Sequence, residues 1–279
     1  MTYHRLETKD GDRFYRERGA GEPVLLLHCS SGSSGAWLPA MERLSRSYRA
    51  LAPDLLGYGR SAPWPRAAAL PPEAELGMVE ALLDVAGRPV HLVGHSYGGT
   101  IALDAVRRYP DQVASLTLIE PVAFHLLRRA DEPDGWREVR ALAERHLALV
   151  GEGQDAAAAE AFVAYWTGPK AWQQMHEAVR EGAVRTAAKV AAEWRLMFAA
   201  KDDLEAIANI SAPTLFICGG RTRTPARRVV EVLRQALPES HHHEIADAGH
   251  MSPLTHPAAV VDAIQHHLAL IKPQRRSAA

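Results

Sequence analysis

The chain has 279 residues, which is enough for one large domain or for a core that carries an inserted subdomain. Its hydrophobic share of 47% and charged share of 23% are ordinary for a soluble globular protein, and a net charge of -1 gives no general electrostatic support for a nucleic-acid or membrane partner. The polar first residues predict no signal peptide, and no apolar run approaches the ~20 residues that span a bilayer. The two cysteines, Cys29 and Cys218, have no metal-ligand spacing, so we expect a reduced, cytoplasmic setting.

Short apolar runs bounded by glycine or proline alternate with helical patterns along most of the chain. Such runs are typical of parallel strands that are buried on both faces. They predict strands at 24–29, 48–57, 90–96, 115–121, 213–220 and 241–250. Helices are predicted at 34–45, 73–87, 98–110, 224–238 and 257–271. Alternation over this length predicts a doubly wound α/β sheet.

The segment 122–205 breaks this alternation, because it contains no convincing strand pattern. Alanine is frequent there and apolar residues recur at helical spacing, which predicts four helices. Their predicted ranges are 136–151, 156–168, 170–182 and 185–200. Such an insertion can simply extend the core, but its position at the carboxyl end of a strand favours a lid over a pocket.

The turn after the third predicted strand reads Gly94-His95-Ser96-Tyr97-Gly98 and fits the pattern G-x-S-x-G. Between a strand and a helix, this pattern is typical of a nucleophilic serine on a strained turn, which needs small neighbours on both sides. The start of the following helix adds a partial positive charge and free N–H groups. The alternative is an ordinary turn in which the serine caps the helix. We interpret Ser96 as a candidate nucleophile.

Several stretches together resemble the α/β-hydrolase superfamily over nearly the whole chain. The resemblance implies an eight-stranded, mostly parallel sheet with helices on both faces and a helical cap inserted after the strand that ends near Glu120. The expected organisation is a first core part at 1–121, a cap at 122–205 and a second core part at 206–279. The stretches that carry the resemblance are 28–37, 53–61, 94–99, 118–121 and 248–257.

The candidate general base is His250, which follows the last predicted strand in the sequence AGHM. The resemblance supports this choice, because α/β-hydrolases place the nucleophile first and the histidine last. A neighbouring run, 241–243, consists of three histidines. Consecutive strand residues alternate between faces, so we expect these three to be strand and surface residues and not a metal site.

The position of the triad acid is open. The family pattern G-x-x-D would place it at the end of 219–222, where this chain has Thr222. Glu120 is the preferred alternative, because it follows the strand after the nucleophile helix and stands directly behind apolar residues, where burial without a partner is costly. Asp247, three residues before His250, is a second alternative. The third is that no acid operates, leaving a Ser–His dyad or an inactive relative.

An oxyanion hole needs two donors aimed at one oxygen. The resemblance implies that these are the backbone N–H groups of Ser30 and Tyr97. Neither a phosphate-binding loop nor a dinucleotide-binding motif is present, and we expect no cofactor and no metal. Candidate pocket residues are His95, Phe124, His125 and Trp166.

The sequence therefore predicts a cofactor-independent serine hydrolase for a small ester, thioester or lactone. C–C bond hydrolysis and cofactor-free perhydrolysis remain open, since both use the same scaffold and triad. An inactive ligand-binding relative is the alternative outside enzymes. In each case the expected partner is a small molecule, with no nucleic acid and no membrane.

Overall fold

A computed structural model describes residues 1–8, 11–66, 68–128, 133–201 and 204–271. Eight strands form one sheet: β1 (Thr2–Thr8), β2 (Gly11–Arg18), β3 (Glu22–Leu27), β4 (Tyr48–Asp54), β5 (Val90–His95), β6 (Val113–Ile119), β7 (Thr214–Gly219) and β8 (His241–Ile245). Their order is β1-β2-β4-β3-β5-β6-β7-β8. Strands β3 to β8 run parallel to one another, whereas β2 is antiparallel to both of its neighbours, β1 and β4. The predicted fold class is confirmed.

β1 and β2 are the two strands that no sequence pattern predicted. They form an antiparallel pair, and β2 extends the sheet by pairing with β4. Within β2 only Arg13 and Tyr15 are buried, and one of them is charged. The apolar alternation that marks a half-buried strand is therefore missing.

Eleven α-helices occur in the described residues. They are α1 (Leu38–Leu44), α2 (Pro72–Ala86), α3 (Tyr97–Arg108), α4 (Pro133–Gly151), α5 (Asp155–Thr167), α6 (Ala171–Gln174), α7 (Glu177–Ala199), α8 (Leu204–Ala208), α9 (Thr224–Ala236), α10 (Ser252–Thr255) and α11 (Pro257–Leu270). Short 3₁₀ turns lie at Ser34–Trp37, Pro110–Gln112 and Phe124–Arg128. No described helix combines the length and apolar character needed to cross a membrane.

The sheet separates two apolar cores. Along β3, Leu25 and Leu27 point into one core, and Val24 and Leu26 point into the other. The first core also takes side chains from α2, α3 and α9, and the second takes side chains from α1 and α11. This burial on both faces explains the continuous apolar runs that predicted the parallel strands.

The described parts of 122–205 are helical and contain no strand. The predicted division into helices at 170–182 and 185–200 is wrong. A short α6 ends before Met175, and α7 runs on without a break through Gly182. His176 sets the start of α7, because its ring accepts a hydrogen bond from the N–H of Ala178. Gly182 does not end the helix, and a Cβ there would make only an ordinary contact of 3.8 Å with the side chain of Arg185.

The carboxyl ends of β3, β5, β6, β7 and β8 lie at one edge of the sheet. The helical segment α4 to α7 follows β6 in the chain and therefore starts from that edge. In open α/β sheets this edge carries the ligand site. The end of the predicted second core part, 272–279, lies outside the described residues.

Candidate active site

Ser96 occupies a sharp turn between β5 and α3. Its backbone has φ 55° and ψ -117°, outside the regions that residues with a side chain prefer. The turn is tight enough that a Cβ on Gly94 would stand 2.3 Å from the carbonyl oxygen of Gly98. A Cβ on Gly98 would stand 2.4 Å from the carbonyl oxygen of Leu27 in β3. The two glycines of the motif are thus required by space, and they let Ser96 project above the sheet edge.

Glu120 follows β6 directly and also has a positive φ, 44°. This conformation turns the side chain toward the end of the neighbouring strand, β7. Its Oε1 accepts a hydrogen bond of 2.7 Å from the N–H of Gly219, and its Oε2 accepts one of 2.5 Å from the hydroxyl of Thr222. Glu120 is fully buried. A buried carboxylate is stabilised when donors of this kind surround it.

His250 lies in the loop after β8 and contacts both candidate residues. Its Nδ1 is 2.7 Å from Oε2 of Glu120, and its Nε2 is 2.9 Å from Oγ of Ser96. Nδ1 carries the proton, because its partner is a carboxylate, which only accepts hydrogen bonds. Nε2 is then free to accept the proton of the Ser96 hydroxyl. The three side chains therefore form a continuous hydrogen-bonded chain.

The carboxyl group of Glu120 in this hydrogen-bonded chain is ionised. Burial raises the pKa of Glu120, but the hydrogen bond and charge of His250 and the donors from Thr222 and Gly219 outweigh it. The net pKa of Glu120 is lower than the usual 4.5 of this carboxyl group. An ionised acid at this place holds the histidine in one tautomer and stabilises its cationic form.

His95 and Trp166 hold His250 from two sides. Nε2 of His95 donates a hydrogen bond of 2.8 Å to the carbonyl oxygen of His250. Burial, reinforced by the nearby His250, lowers the pKa of His95 to about 3, so His95 is neutral. The indole ring of Trp166, from α5, stacks on the imidazole with a centroid distance of 3.9 Å. His250 is thus fixed in orientation as well as in tautomer.

The stretch 218–228 contains no carboxylate, but it organises the site in other ways. Thr222, at the position where the family pattern has its acid, donates to the carboxylate of Glu120. Arg223 donates a hydrogen bond of 2.6 Å to the carbonyl oxygen of Tyr165, next to Trp166. Arg227 donates to the carbonyl oxygens of residues 219 and 220. These arginines tie the loop to its surroundings.

Asp247, the alternative acid, is not brought to His250. It forms an ion pair of 2.6 Å with Arg221, and 74% of its side chain is exposed. Within the described residues, the carboxylate bonded to His250 is that of Glu120. Exposed carboxylates are screened by water and stabilise an imidazolium poorly.

The loop after β3 lies on the other side of Ser96. His28 anchors it: Nδ1 donates to the carbonyl oxygen of Cys29 at 2.7 Å, and Nε2 accepts from the N–H of Leu55 at 3.0 Å. Burial lowers the pKa of His28, in agreement with a neutral ring. The next turn places Ser31 at φ 56°. Cys29 itself is a free buried thiol, as is Cys218.

Two cavities adjoin the site. The smaller cavity has a volume of about 10 Å³, which is about the space that one water needs. It is lined by both serines of the site, Ser30 and Ser96, and by apolar side chains of the helical segment, including Met197. The larger, of about 790 Å³, lies between α2, α3 and α7, and Met197 lines it too. Its volume falls in the range of small-molecule sites.

The four predicted pocket residues have different positions. Phe124 and Trp166 line the smaller cavity beside Ser96. His125 lines the larger cavity together with Tyr97. His95 lines neither of these two cavities, because its ring faces His250.

Sequence reasoning missed Thr222 as a partner of the acid and a buried group of charged residues, Glu75, Lys189 and Glu193. A threonine in place of the expected acid was a signal for the first, since a hydroxyl there can donate to a carboxylate that has moved. For the second, Lys189 and Glu193 stand at the i, i+4 spacing of ordinary surface pairs. The sequence therefore carried no signal of their burial.

The chain is similar in sequence or in fold to several known proteins. The chain is 27% identical over 253 residues to Lipase 1 of Psychrobacter immobilis, covering 88% of this chain and 77% of that protein. It is 35% identical over 113 residues to the dihydrolipoyllysine-residue acetyltransferase component of the acetoin cleaving system of Cupriavidus necator, covering 40% of this chain. A thermophilic esterase structure from Thermogutta terrifontis is similar with a TM-score of 0.77 and 24% identity, covering 97% of this chain and 99% of that chain.

The match to the Cupriavidus protein spans only 30% of that protein's length, so it is a likeness of one part. The structural likeness, at 24% identity, concerns the fold alone. A family model described as alpha/beta hydrolase fold matches residues 22–257, which is most of the chain. The chain therefore belongs to the α/β-hydrolase fold family and is an enzyme of the hydrolase class.

Proposed function

We propose that the protein is a serine hydrolase that cleaves a small carboxylic ester, thioester or lactone through an acyl-enzyme intermediate. The observation that carries this proposal is the hydrogen-bonded chain from Ser96 through His250 to Glu120. The similarity to proteins named as a lipase and an esterase supports an ester as substrate.

In the first half of the proposed reaction, Oγ of Ser96 attacks the substrate carbonyl carbon while Nε2 of His250 takes the hydroxyl proton. The carbonyl electron pair moves onto oxygen and forms a tetrahedral oxyanion. When the intermediate collapses, the bond to the leaving oxygen or sulfur breaks and His250 returns the proton to that atom. Glu120 stays ionised throughout and stabilises the imidazolium.

In the second half, water repeats the same sequence. His250 takes a proton from water, the new oxygen–carbon bond forms, and the bond from the acyl carbon to Oγ of Ser96 breaks. The carboxylic acid leaves, and the proton returns to Ser96. Apart from the substrate and this water, the scheme uses only groups of the chain itself.

The backbone N–H groups of Tyr97 and Ser30 are the proposed donors to the oxyanion. Tyr97 is the first residue of α3, whose aligned peptide dipoles place partial positive charge at this end. Ser30 lines the same small cavity as Ser96. Donors that are fixed before the reaction starts are the condition for effective oxyanion stabilisation.

The residues from 122 to 205 act as a cap in this proposal, between core parts at 1–121 and 206–279. Its helices supply Trp166, Trp194 and Met197 to the wall of the cavity beside Ser96. Because that cavity has room for about one water, side chains of the cap that line it must move before an acyl group reaches Ser96. Displacement of Met197 would join this cavity to the larger one.

Hydrolysis of a matched substrate panel tests the proposal. Purified wild type and Ser96→Ala would be compared on p-nitrophenyl acetate, butyrate and octanoate, on a thioester, on a γ-lactone and on a diketone. We expect the wild type to hydrolyse at least one class and the variant to lose at least about 10³-fold of that activity. Turnover that survives in Ser96→Ala would refute the proposed nucleophile, and turnover of a diketone substrate alone would move the assignment to C–C bond hydrolysis.

A further inference from the structure

A group of three charged side chains is buried between α7 and the core. Glu75 of α2 and Lys189 and Glu193 of α7 are each at most 3% exposed. Nζ of Lys189 is 2.7 Å from Oε1 of Glu75 and 2.8 Å from Oε1 of Glu193. The rings of Tyr58 and Tyr97 lie on the same ammonium group, each with its centroid 5.1 Å away. The proposed reaction uses none of these charges.

Glu193 is the best-connected member of this buried charge cluster. Its Oε1 also accepts a hydrogen bond of 2.6 Å from the hydroxyl of Tyr58, and its Oε2 accepts one of 2.5 Å from the hydroxyl of Ser30. Glu75 is less well satisfied, because its Oε2 has no hydrogen-bond partner in the described part of the chain. The hydrogen bonds of the cluster thus converge on Glu193, and one of them reaches the loop that follows β3.

A second contact joins α7 to the same loop. The hydroxyls of Thr186 and Ser31 are 3.3 Å apart. Thr186, Lys189 and Glu193 are spaced three and seven residues apart along α7, so they share one face of the helix. Ser30 and Ser31, which are consecutive in the loop, therefore bond to residues of α7 that lie two turns apart.

This arrangement is a costly way to dock a helix. Ions that leave water lose hydration, and well-packed apolar residues of similar size often stabilise a fold as well or better. Burial opposes the ionisation of Glu193, although Lys189 and the two hydroxyl donors act in the other direction. What apolar residues cannot supply is the directed bond to Ser30. The cluster therefore serves the geometry of the loop.

We propose that Glu193 is a positioning residue that holds Ser30 in the orientation needed for its backbone N–H to stabilise the oxyanion. The inference rests on the proposed serine-hydrolase function. Since Glu193 belongs to the helical segment and Ser30 to the core, the oxyanion site is complete only when α7 is docked. Lys189 offsets part of the negative charge of Glu75 and Glu193, which would otherwise oppose an oxyanion nearby.

The test compares Glu193→Leu, which leaves no group to bond Ser30, with Ser30→Ala, the double variant and wild type. Ser30→Ala keeps the backbone N–H and the buried ion pairs, so it is expected to fold even if Glu193→Leu does not. Glu181→Leu is the matched control, because Glu181 lies on the exposed side of α7 and pairs with Arg185. Steady-state kinetics on p-nitrophenyl butyrate would give kcat and KM separately, and circular dichroism would give Tm.

We expect each single variant to lose roughly 10- to 100-fold in kcat, somewhat less than complete removal of an oxyanion donor costs, with KM changed by less than about threefold. Inhibition by a trifluoromethyl ketone, which forms an oxyanion on Ser96, should weaken by a similar factor. The kcat of the double variant should be no lower than that of the less active single variant, because both substitutions remove the same hydrogen bond. Ser30→Thr, which keeps the hydroxyl, should restore most of the activity.

Three results would overturn the inference. These are unchanged kcat in folded Ser30→Ala, multiplicative losses in the double variant, or losses in kcat that track a fall in Tm. Labelling by a fluorophosphonate separates this failure from failure of the proposed function. Wild type that reacts at Ser96 while the variants keep full activity refutes only the role of Glu193. Wild type that does not react refutes the serine mechanism and the positioning role together.

Discussion

Replacement of Glu120 by glutamine is the perturbation that most sharply tests the position of the acid. The amide keeps the size of the carboxylate but places an NH₂ group where an oxygen now accepts. Its remaining oxygen can accept from the N–H of Gly219, which leaves the NH₂ facing Nδ1 of His250 and the hydroxyl of Thr222. His250 must then accept at Nδ1, so its proton moves to Nε2.

In that tautomer His250 presents an N–H to Ser96 and cannot take its proton. We expect kcat/KM for an ester that the wild type hydrolyses to fall by about 10⁴-fold, which corresponds to about 5 kcal/mol of lost transition-state stabilisation. Because the shape of the side chain is kept, the variant should fold and melt cooperatively. Nitrogen NMR of labelled histidine should show the tautomer change at His250.

The matched control is Asp247→Asn, the same carboxylate-to-amide change at the exposed alternative. It should keep kcat/KM within about threefold, as expected for a screened surface carboxylate. The reasoning would be refuted if Glu120→Gln kept activity within tenfold of wild type, or if Asp247→Asn lost as much as Glu120→Gln.

Three further predictions concern the neighbours of this acid and its histidine. Thr222→Val removes a donor to Glu120 and should lower kcat by about tenfold, whereas Thr222→Ser should stay near wild type; equal activity of all three proteins would contradict the assigned contact. The pKa of His95 is about 3 in the fold against an ordinary 6.5, so the unfolded chain takes up a proton first and stability falls as pH decreases between these values. Urea unfolding should therefore lose less stability across this pH window in His95→Gln than in wild type, and identical slopes would argue against a buried neutral His95. Trp166→Ala removes the ring stacked on His250 and enlarges the small cavity, so the ratio of kcat/KM for p-nitrophenyl octanoate over acetate should rise; a falling ratio would place the acyl chain elsewhere.

Most of the sheet could be predicted from the sequence, because parallel strands buried on both faces appear as continuous apolar runs. The hairpin of β1 and β2 could not, since its exposed faces carry charged residues and only two side chains of β2 are buried. The break between α6 and α7 was also misplaced. Gly182 suggested a helix end there, but the cap is a side-chain contact of His176, and contacts of this kind are not visible in periodicity.

Within the site, contacts between residues close together in the sequence were easier to predict than contacts between residues far apart in it. Ser96 was a candidate from its immediate neighbours. The resemblance to α/β-hydrolases pointed to His250, and the strand end after the nucleophile helix made Glu120 the preferred one of three alternatives for the acid. The bond between Thr222 and Glu120 joins residues 102 positions apart, and the bond between Ser30 and Glu193 spans 163. Such contacts depend on tertiary packing, which a single sequence does not reveal.

The central claim is that Ser96 is a nucleophile activated by His250 and Glu120. Reaction with a fluorophosphonate, followed by intact mass and peptide mapping, tests it most directly. We predict rapid formation of a single adduct on Ser96 in the wild type, none in Ser96→Ala, and strongly slowed formation in Glu120→Gln. A folded wild type that forms no adduct, or forms one at another residue, would contradict the account.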